Sequence, residues 1–542
     1  MQKGAHAFWL LLALIAGLAA STSAQEIQHL NVAQPGGFPG RPVMNGIAKT
    51  TNGVNVAWDG PAGYYQLYVA QSLANPTWQP VGSPNLNRNL TLTNIYGNSF
   101  FKVSGPSAQF AGAQACAECH ENIYNLESQT RHPMALQTLK SIHQDNNAAC
   151  VTCHTVGAGL PTGFRTELTT PHLAGVQCES CHGPAAAHAA NEMDLTKRPR
   201  KEIAGQVCGG CHNTSHAPTF DEWKSSGHFA VVEDMNPVGR INACGRCHSG
   251  TARLAMVKGV SASVISTTLT NDANVGITCV VCHDPHQIRA WTNVLTGVVE
   301  TNQLRYPIAS TNYFSLTTSA TFSNRTDVNV CAQCHNDRGA AWDSAGRPPH
   351  HSAQYNLMLG SVGLLPANGA STNFINCATN SRPSSHGLLI EKQCVSCHMP
   401  TREFVDEAHP GMNGHSFKVE AYESCAECHT LPELLQDFTA LVMTSRIQQL
   451  KSQLDLWATT KSPIALRTKY GALAWEYTTP GELSTGTAGP NSSEQLQIPA
   501  RIKYARFNLY IIQNDGSLGT HNALHILALL DAAQAWVQEE LK

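Results

Sequence analysis

Nine copies of the motif Cys-x-x-Cys-His lie between residues 116 and 429, and they use eighteen of the chain's nineteen cysteines. Two thiols at this spacing reach the two vinyl groups on one edge of a porphyrin, and the adjacent histidine then binds the iron. A zinc site or a disulfide framework gives no reason for a histidine after every second cysteine. We therefore predict nine covalently bound c-type haems. The motifs are Cys116, Cys119 and His120; Cys150, Cys153 and His154; Cys178, Cys181 and His182; Cys208, Cys211 and His212; Cys244, Cys247 and His248; Cys279, Cys282 and His283; Cys331, Cys334 and His335; Cys394, Cys397 and His398; and Cys425, Cys428 and His429.

The motif-bearing stretch gives only about 35 residues to each haem, which is too few for an ordinary hydrophobic core. We expect a mostly α-helical fold of short helices and irregular loops around stacked haems. The formal charge of the 542-residue chain is -3. Each haem adds two propionates, so the holoprotein is acidic and nucleic acid is not an expected partner.

Residues 1–24 have the pattern of a secretory signal peptide. An apolar run from Phe8 to Leu18 precedes small residues that end at Ala24. The run is too short for an anchor helix, and no later segment is apolar enough to span a membrane. Because bacteria attach c-type haem outside the cytoplasm, we predict a periplasmic or extracellular protein with no transmembrane segment.

Residues 25–108 contain no haem motif, and apolar residues alternate with polar or small ones, as is typical of β-strands. The alternating sets are Val54, Val56 and Trp58; Tyr65, Leu67 and Val69; Leu90 and Leu92; Phe101 and Val103. Turn residues at 59–61 and 82–84 separate them. We predict a small β-sandwich that resembles fibronectin type III modules and serves as a spacer or folding aid rather than a specific binding module.

Residues 109–430 form the predicted nonahaem domain, and residues 431–542 form a predicted helical region that packs on it. Within the haem domain, the Ser/Thr-rich stretch 260–269 is β-prone. In the helical region, two series of periodically spaced apolar residues predict two helices. A third helix is expected from Thr520 to the C-terminus. The helices either cover the last haems or form a dimer seam. The two series are Met443, Ile447, Leu450, Leu454 and Trp457, and then Ile498, Ile502, Ala505, Leu509 and Ile512.

Histidines outside the motifs are the candidates for the second axial ligand of each iron. A haem that only carries electrons gains from two strong axial ligands, whereas a haem that catalyses needs an open position. Leaving out His6 and His29, fourteen such histidines remain for nine haems. Histidines 132, 188, 228 and 286 stand near motifs and are the first candidates.

Several of these segments resemble a superfamily of multihaem cytochromes. Its members include the tetrahaem cytochrome partner of hydroxylamine oxidoreductase, that oxidoreductase itself, octahaem nitrite and tetrathionate reductases, and pentahaem nitrite reductase. The resemblance covers about Ala113 to the end of the chain. The segments are 115–120 with His132, 175–184 with His188, 394–400 with His386, 414–417 and 519–522.

The resemblance implies a set of distal ligands. His350 or His351 would be an eighth ligand, and we assign His351. The ninth would come from His143, His172, His216, His409 or His525, and we assign His143. The first seven are His132, His188, His228, His286, His386, His415 and His521. The chain lacks the Cys-x-x-Cys-Lys motif of pentahaem nitrite reductases, and nine haems exceed the number in the named enzymes. Both departures argue against a transferred catalytic activity.

Long-range electron transfer through bis-histidine haems is the favoured function, with redox proteins or extracellular acceptors as partners. The first alternative is an oxidoreductase acting on nitrite, hydroxylamine or tetrathionate at one open haem. The second is a homo-oligomer that forms a conducting filament. Cys377 has no motif histidine and is predicted to be a small buried thiol.

Overall fold

The computed structural model describes residues 43–235, 240–305 and 330–542, apart from short gaps at 51–52, 60–64, 75, 86, 88, 94–98, 106–107, 271–272, 293–298, 339–340, 368–372, 379, 391–392 and 421. The predicted signal peptide lies outside the described residues. The chain divides into two compact units, residues 1–115 with 144–201, and residues 116–143 with 202–542.

Six strands in the first unit form two three-stranded antiparallel sheets, with strand orders β1-β2-β5 and β4-β3-β6. Buried residues of both sheets, such as Trp58, Tyr65 and Leu92, form one core. Immunoglobulin-like sandwiches divide their strands between two sheets in a comparable way. The strands are β1 (Val43–Thr50), β2 (Gly53–Asp59), β3 (Tyr65–Ala70), β4 (Gln79–Asn85), β5 (Asn89–Leu92) and β6 (Phe100–Ser104).

The predicted alternating runs coincide with β2, β3, β5 and β6. The prediction of a turn at residues 82–84 was wrong, because these residues lie inside β4. Gly82 has a φ of +65° there and allows the strand to continue through an irregular pairing with β3. Strand β1 was missed because its sequence, with Gly46 and Lys49, has little apolar alternation.

The rest of the first unit carries the second and third motifs on short helices. Asn147 caps the helix of the second motif, since its side chain accepts a hydrogen bond from Ala149 N. The helices are Ala148–His154, Cys178–His182 and Ala186–Ala189, with 3-10 turns at Pro171–Leu173 and Leu195–Lys197.

Most helices of the second unit are also short. The first helix, Ala113–Glu127, begins in the first unit and kinks at His120. Two small hairpins pair Arg289–Thr292 with Val299–Asn302, and Leu364–Pro366 with Phe374–Asn376. The other helices before residue 431 are Ala135–Ser141, Gln206–Gly209, Thr219–Lys224, Gly227–Ala230, Ile241–His248, Gly250–Val257, Ala262–Thr268, Cys279–Cys282, Gln354–Met358, Ser385–Leu389, Cys394–His398 and Glu423–Ala426, with a 3-10 turn at Val231–Met235.

The β-prone stretch 260–269 is helical, so the expectation of β-structure there was wrong. Ser261 caps helix Ala262–Thr268 by accepting a hydrogen bond from Val264 N. Ile265 packs with the buried Ile241 and Ala252. The cap and this contact together outweigh the intrinsic β-preference of Val, Ile and Thr.

The largest hydrophobic core of the described residues lies at the C-terminus, among helices Pro432–Thr460, Ala500–Asp515 and Ala523–Leu541. Both predicted apolar series are buried in this core, which therefore accounts for them without a dimer seam. Cys377 is fully buried in the same core. The last helix is capped by Asn522 rather than Thr520. Helix Ile464–Tyr470 and 3-10 turns Gly471–Trp475 and Glu494–Gln497 complete this region.

Among the described helices, none combines the length and hydropathy required to cross a membrane.

Candidate functional site

Within the described residues, six motif histidines each face one histidine from outside the motifs. The ring centroids are 5.8–6.4 Å apart, and all six pairs lie in the second unit. The pairs are His212 with His132, His335 with His228, His248 with His350, His283 with His415, His429 with His386, and His398 with His521.

This spacing fits an iron ion between the two rings. Imidazole nitrogens bind metals at about 2 Å, so two rings on opposite sides of one ion have centroids about 6 Å apart. Each pair also includes the histidine that follows two motif cysteines, which would attach the porphyrin. The residues present therefore fit haem c, with one motif histidine and one distant histidine as axial ligands.

Oxygen atoms orient many of these rings through Nδ1. His521 Nδ1 lies 2.7 Å from Asp515 Oδ1, and His248 Nδ1 lies 2.8 Å from Asp234 Oδ2. Backbone carbonyl groups accept from His386, His398 and His415 at 2.8–3.1 Å. A donor Nδ1–H leaves Nε2 as the metal-binding atom, which is the usual arrangement of an imidazole ligand.

Burial keeps several of these rings neutral. It lowers the pKa values of His228, His283 and His350 to about 4, so each is an unprotonated imidazole at neutral pH. Metal binding needs this form. Burial acts on His521 in the same direction, but the carboxylate of Asp515 opposes it and the net pKa is raised.

The cysteines of different motifs also meet. The thiol of Cys247 of the fifth motif adjoins that of Cys334 of the seventh, and the thiol of Cys208 of the fourth motif adjoins that of Cys279 of the sixth. If each motif attaches its own porphyrin as predicted, the attachment points of the fifth and seventh haems would adjoin, as would those of the fourth and sixth. Sequence spacing alone gave no order of the haems in space.

The second cysteines of five motifs differ in how far they are exposed. Cys119 of the first motif and Cys428 of the ninth are exposed, whereas Cys153, Cys181 and Cys211 of the second, third and fourth motifs are partly buried. Backbone bonds of 3.1 Å, from Cys211 N to Cys208 O and from Cys428 N to Cys425 O, hold two of these pairs within one helical turn. For these five and for the other motif cysteines alike, the sulfur–haem bonds predicted from the sequence rest on motif spacing, so their assignment as haem attachment points stays a prediction.

The first three motifs contribute His120, His154 and His182. The Nδ1 atom of His182 lies 2.8 Å from Arg200 O, the same kind of orienting contact as in the six pairs. The Nδ1 atom of the predicted ligand His188 is buried and has no hydrogen-bond partner among the described residues. His286 lies with Nδ1 3.9 Å from Asp284 Oδ1. His143 is exposed at a positive φ of 56°. The assignments of His143, His188 and His286 stay predictions.

Of the neighbouring histidines 350 and 351, it is His350 whose ring faces His248. The His351 ring stacks on His350 instead, at a centroid distance of 4.3 Å. We had assigned His351, because two adjacent histidines cannot be distinguished by spacing. The geometry favours His350 as the axial ligand.

Three of the remaining candidates are held by other contacts. His525 Nε2 lies 2.8 Å from Val362 O inside the C-terminal core, so this atom already has a partner. His409 is exposed and its Nδ1 contacts Asp406. His216 packs edge-on against Phe404, and its Nδ1 lies 3.2 Å from Thr214 Oγ1. The fourth candidate, His172, is exposed at a 3-10 turn.

Glu179 is a structural residue that the sequence analysis missed. It lies inside the third motif, is 1% exposed, and accepts hydrogen bonds from the backbone N–H groups of Ala111, Gly112 and Ala185 at 2.7–3.1 Å. It therefore ties the segment before the first motif to the third motif. The motif pattern could not identify Glu179, because the two positions between the cysteines of a haem motif accept many residue types.

No group of three or more His, Cys, Asp or Glu side chains in the described ranges is arranged to hold a bare metal ion.

The chain is similar to known c-type cytochromes. The profile of the family "Cytochrome c554 and c-prime" matches residues 115–183. Cytochrome c-554 of Nitrosomonas europaea is 32% identical over 150 residues, 21% of this chain and 63% of that protein. The C-type polyheme cytochrome OmcB of Geobacter sulfurreducens is 23% identical over 365 residues, 59% of this chain and 46% of OmcB. The chain thus spans less than two thirds of either relative.

One solved structure shares the fold. The undecaheme cytochrome from the S-layer of Carboxydothermus ferrireducens aligns with a TM-score of 0.50 and 19% sequence identity. The alignment covers 80% of this chain and 70% of that chain.

Proposed function

We propose that the chain, which belongs to the superfamily of multihaem c-type cytochromes, is an exported nonahaem cytochrome that transfers electrons over a long distance. The observation that supports this most strongly is the set of six motif histidines, each opposite a second histidine at 5.8–6.4 Å. Two imidazoles on one iron occupy both axial positions and leave none for a substrate.

The chain's own residues would serve this function by holding the iron environment constant. Haem supplies a one-electron change of iron valence. The paired imidazoles are held by fixed oxygen acceptors, such as Asn413 O for His415 and Phe417 O for His398. Rings fixed in this way do not need to move when the iron changes its valence. The reorganisation energy of electron transfer therefore stays small.

Location, stoichiometry and partners form part of the same proposal. Nine complete motifs support nine haems, and the N-terminal pattern supports export to the periplasm or the cell exterior. Partners would then be redox proteins or extracellular electron acceptors. Residues 25–108, 109–430 and 431–542 would be the β-module, the haem domain and the helical region, respectively.

The test measures haem number, spin state and ligand access on the mature protein. We expect an intact mass with nine haems, only low-spin ferric signals by electron paramagnetic resonance, and no carbon monoxide binding after reduction. One high-spin haem that binds carbon monoxide or nitrite stoichiometrically in the wild-type protein would overturn the carrier function. Turnover of nitrite, hydroxylamine and tetrathionate would then be measured.

His350 and His351 provide a matched pair of variants for the ligand assignment. His350→Ala should convert one haem to a high-spin form that binds one carbon monoxide, because the ring opposite His248 is lost. His351→Ala removes the stacked neighbour and should leave all haems low-spin. The reverse pattern would show that His351 is the ligand.

A further inference from the structure

Helix Gly250–Val257 begins two residues after His248 of the fifth motif and packs directly against the sixth. Gly250 N donates a hydrogen bond to Val275 O at 2.8 Å, and a Cβ on Gly250 would lie 2.1 Å from Gly276 O. Leu254 packs against Val281, which lies between the two cysteines of the sixth motif. This helix is therefore held in contact with two motifs.

Arg253, on the same helix, extends the contact to a third motif. It is 3% exposed, and its Nη2 donates a hydrogen bond to Gln333 Oε1 at 3.0 Å. Gln333 is 2% exposed and lies between the two cysteines of the seventh motif. Because its helix begins two residues after His248 and packs against Val281, Arg253 lies beside segments of all three motifs.

A buried guanidinium is costly and stays charged, because arginine does not lose its proton in proteins. Its charge is weakly screened at such a site, so it acts strongly on any nearby group that changes charge. A ferric iron that accepts one electron loses one positive charge, and a fixed cation beside it favours that reduced state.

We propose that Arg253 is the electrostatic centre of the junction between the fifth, sixth and seventh motifs, where its positive charge raises the reduction potentials of the three attached haems. Electrons in a partly reduced molecule would therefore collect at this junction. The inference rests on the proposed function only in requiring haem at these three motifs. It goes beyond that function by assigning a tuning role to a residue that binds no iron.

The test is a potentiometric titration of the holoprotein followed by haem absorbance and electron paramagnetic resonance. Arg253→Met removes the charge and keeps an apolar side chain of comparable length. We expect the midpoint potentials of three haems to become more negative, with nine haems retained by mass and low-spin signals throughout. If Arg253→Met does not mature, Arg253→Gln serves in its place, since it also removes only the charge.

Two further variants separate charge from position. Arg253→Lys keeps the positive charge and loses the forked donor, so the potentials should stay near those of the wild type. Gln333→Leu removes the hydrogen bond and keeps the charge, and should also leave the potentials unchanged. If either variant shifts the potentials as Arg253→Met does, Arg253 acts only by positioning the seventh motif and the proposal is overturned.

Arg446→Met is the control for removal of an arginine elsewhere. Arg446 pairs with Asp531 at the surface of the C-terminal helices, and its loss should not move any potential. Unchanged potentials in Arg253→Met would overturn the inference alone, because the haems would still be low-spin and complete. Missing or high-spin haems in the wild-type protein would instead contradict the proposed function.

Discussion

At the scale of single residues, the acceptor opposite Nδ1 of a ligand histidine controls how basic that ligand is. Asp515 is 5% exposed, and its Oδ1 atom lies 2.7 Å from His521 Nδ1. A buried carboxylate at this position gives the imidazole anionic character and favours ferric iron. In Asp515→Asn the acceptor is kept and the charge is lost. We expect one haem potential to rise by roughly 60 mV, which corresponds to about a tenfold change for a one-electron couple.

Asp234→Asn is the matched comparison. Asp234 makes the same contact with His248 Nδ1 at 2.8 Å, but its side chain is 63% exposed, so water and ions screen its charge. The shift should be clearly smaller than in Asp515→Asn when both are measured by potentiometric titration. Equal shifts would mean that burial of the carboxylate does not matter.

Glu127 gives the protein a predictable pH dependence. Burial raises its pKa to about 7 from the ordinary value of 4.5. The folded protein therefore binds a proton more tightly than the unfolded chain. Its contribution to the free energy of unfolding is complete below pH 4.5 and is lost as the pH rises through 7, by at most about 3 kcal/mol. Glu127→Gln should remove this loss.

The measurement is chemical unfolding at pH 4.5 and at pH 8. Wild type and Glu127→Gln should differ little at pH 4.5, whereas the variant should be more stable at pH 8. A variant that is less stable at pH 8 would show that the ionised carboxylate has a stabilising partner in the folded protein.

The residues that bind the cofactor could be predicted only in part. The motif cysteines and histidines follow from spacing, because two sulfur atoms and a ring must meet one porphyrin within five residues. The proposed distal ligands come from other parts of the chain. His132 faces His212 and His386 faces His429, and no local pattern gives such a pairing. The same limit explains why His350 and His351 were indistinguishable.

At the scale of secondary structure, the long helix Pro432–Thr460 offers a comparison within one element. Leu450 is fully buried in the C-terminal core, whereas Leu441 is 68% exposed. Leu450→Ala should lower the free energy of unfolding by about 2–5 kcal/mol, because it leaves a cavity in a packed core. Leu441→Ala changes the same residue type in the same helix and should stay within about 0.5 kcal/mol.

Urea unfolding followed by far-ultraviolet circular dichroism checks this pair. A large loss of stability in Leu441→Ala would show that its exposed side chain is covered by a neighbour in solution, such as a second copy of the chain. That result would indicate a dimer interface on the exposed face of this helix, rather than on the predicted face that contains Leu450.

Elements with a strong periodic pattern were predictable, and weakly patterned ones were not. The helices around Leu450 and Leu509 follow from their apolar spacing, since one face of each packs in the core. Helix Ala262–Thr268 did not, because its stability depends on the cap at Ser261 and on the tertiary contact of Ile265. Propensity is a weak guide when a short segment is fixed by its neighbours.

At the scale of the whole molecule, hydrophobic burial is unevenly distributed. The large core lies in the C-terminal helices, whereas clusters beside the motifs are small, such as Ile241, Ala252 and Ile265. This distribution is in line with the prediction, made from the length available per haem, that the cofactors serve as packing partners of the motif-bearing segments. The arrangement of the haems was not predictable, because it depends on contacts such as Cys247 with Cys334 between distant parts of the chain.

The boundary between the β-module and the haem domain can be tested by truncation. Residues just before the first motif are fixed to the segments around the second and third motifs. Ala108 is 1% exposed, and Phe110 N donates to Thr162 Oγ1 at 3.1 Å. Ala111 N and Gly112 N both donate to the buried carboxylate of Glu179. These contacts favour a boundary a few residues before the proposed one at residue 108.

We compare two shortened chains, each placed behind residues 1–24. A chain that begins at Gly105 keeps the contacts of Ala108, Phe110, Ala111 and Gly112, and should mature with all nine haems by intact mass. A chain that begins at Ala113 loses them and leaves the Glu179 carboxylate buried without two of its donors, which costs about 1–3 kcal/mol for each unsatisfied group. It should mature poorly or lose haem from the second and third motifs. Failure of the longer chain would show that the β-sandwich is part of the haem fold, whereas full maturation of both would show that the Glu179 contacts are dispensable.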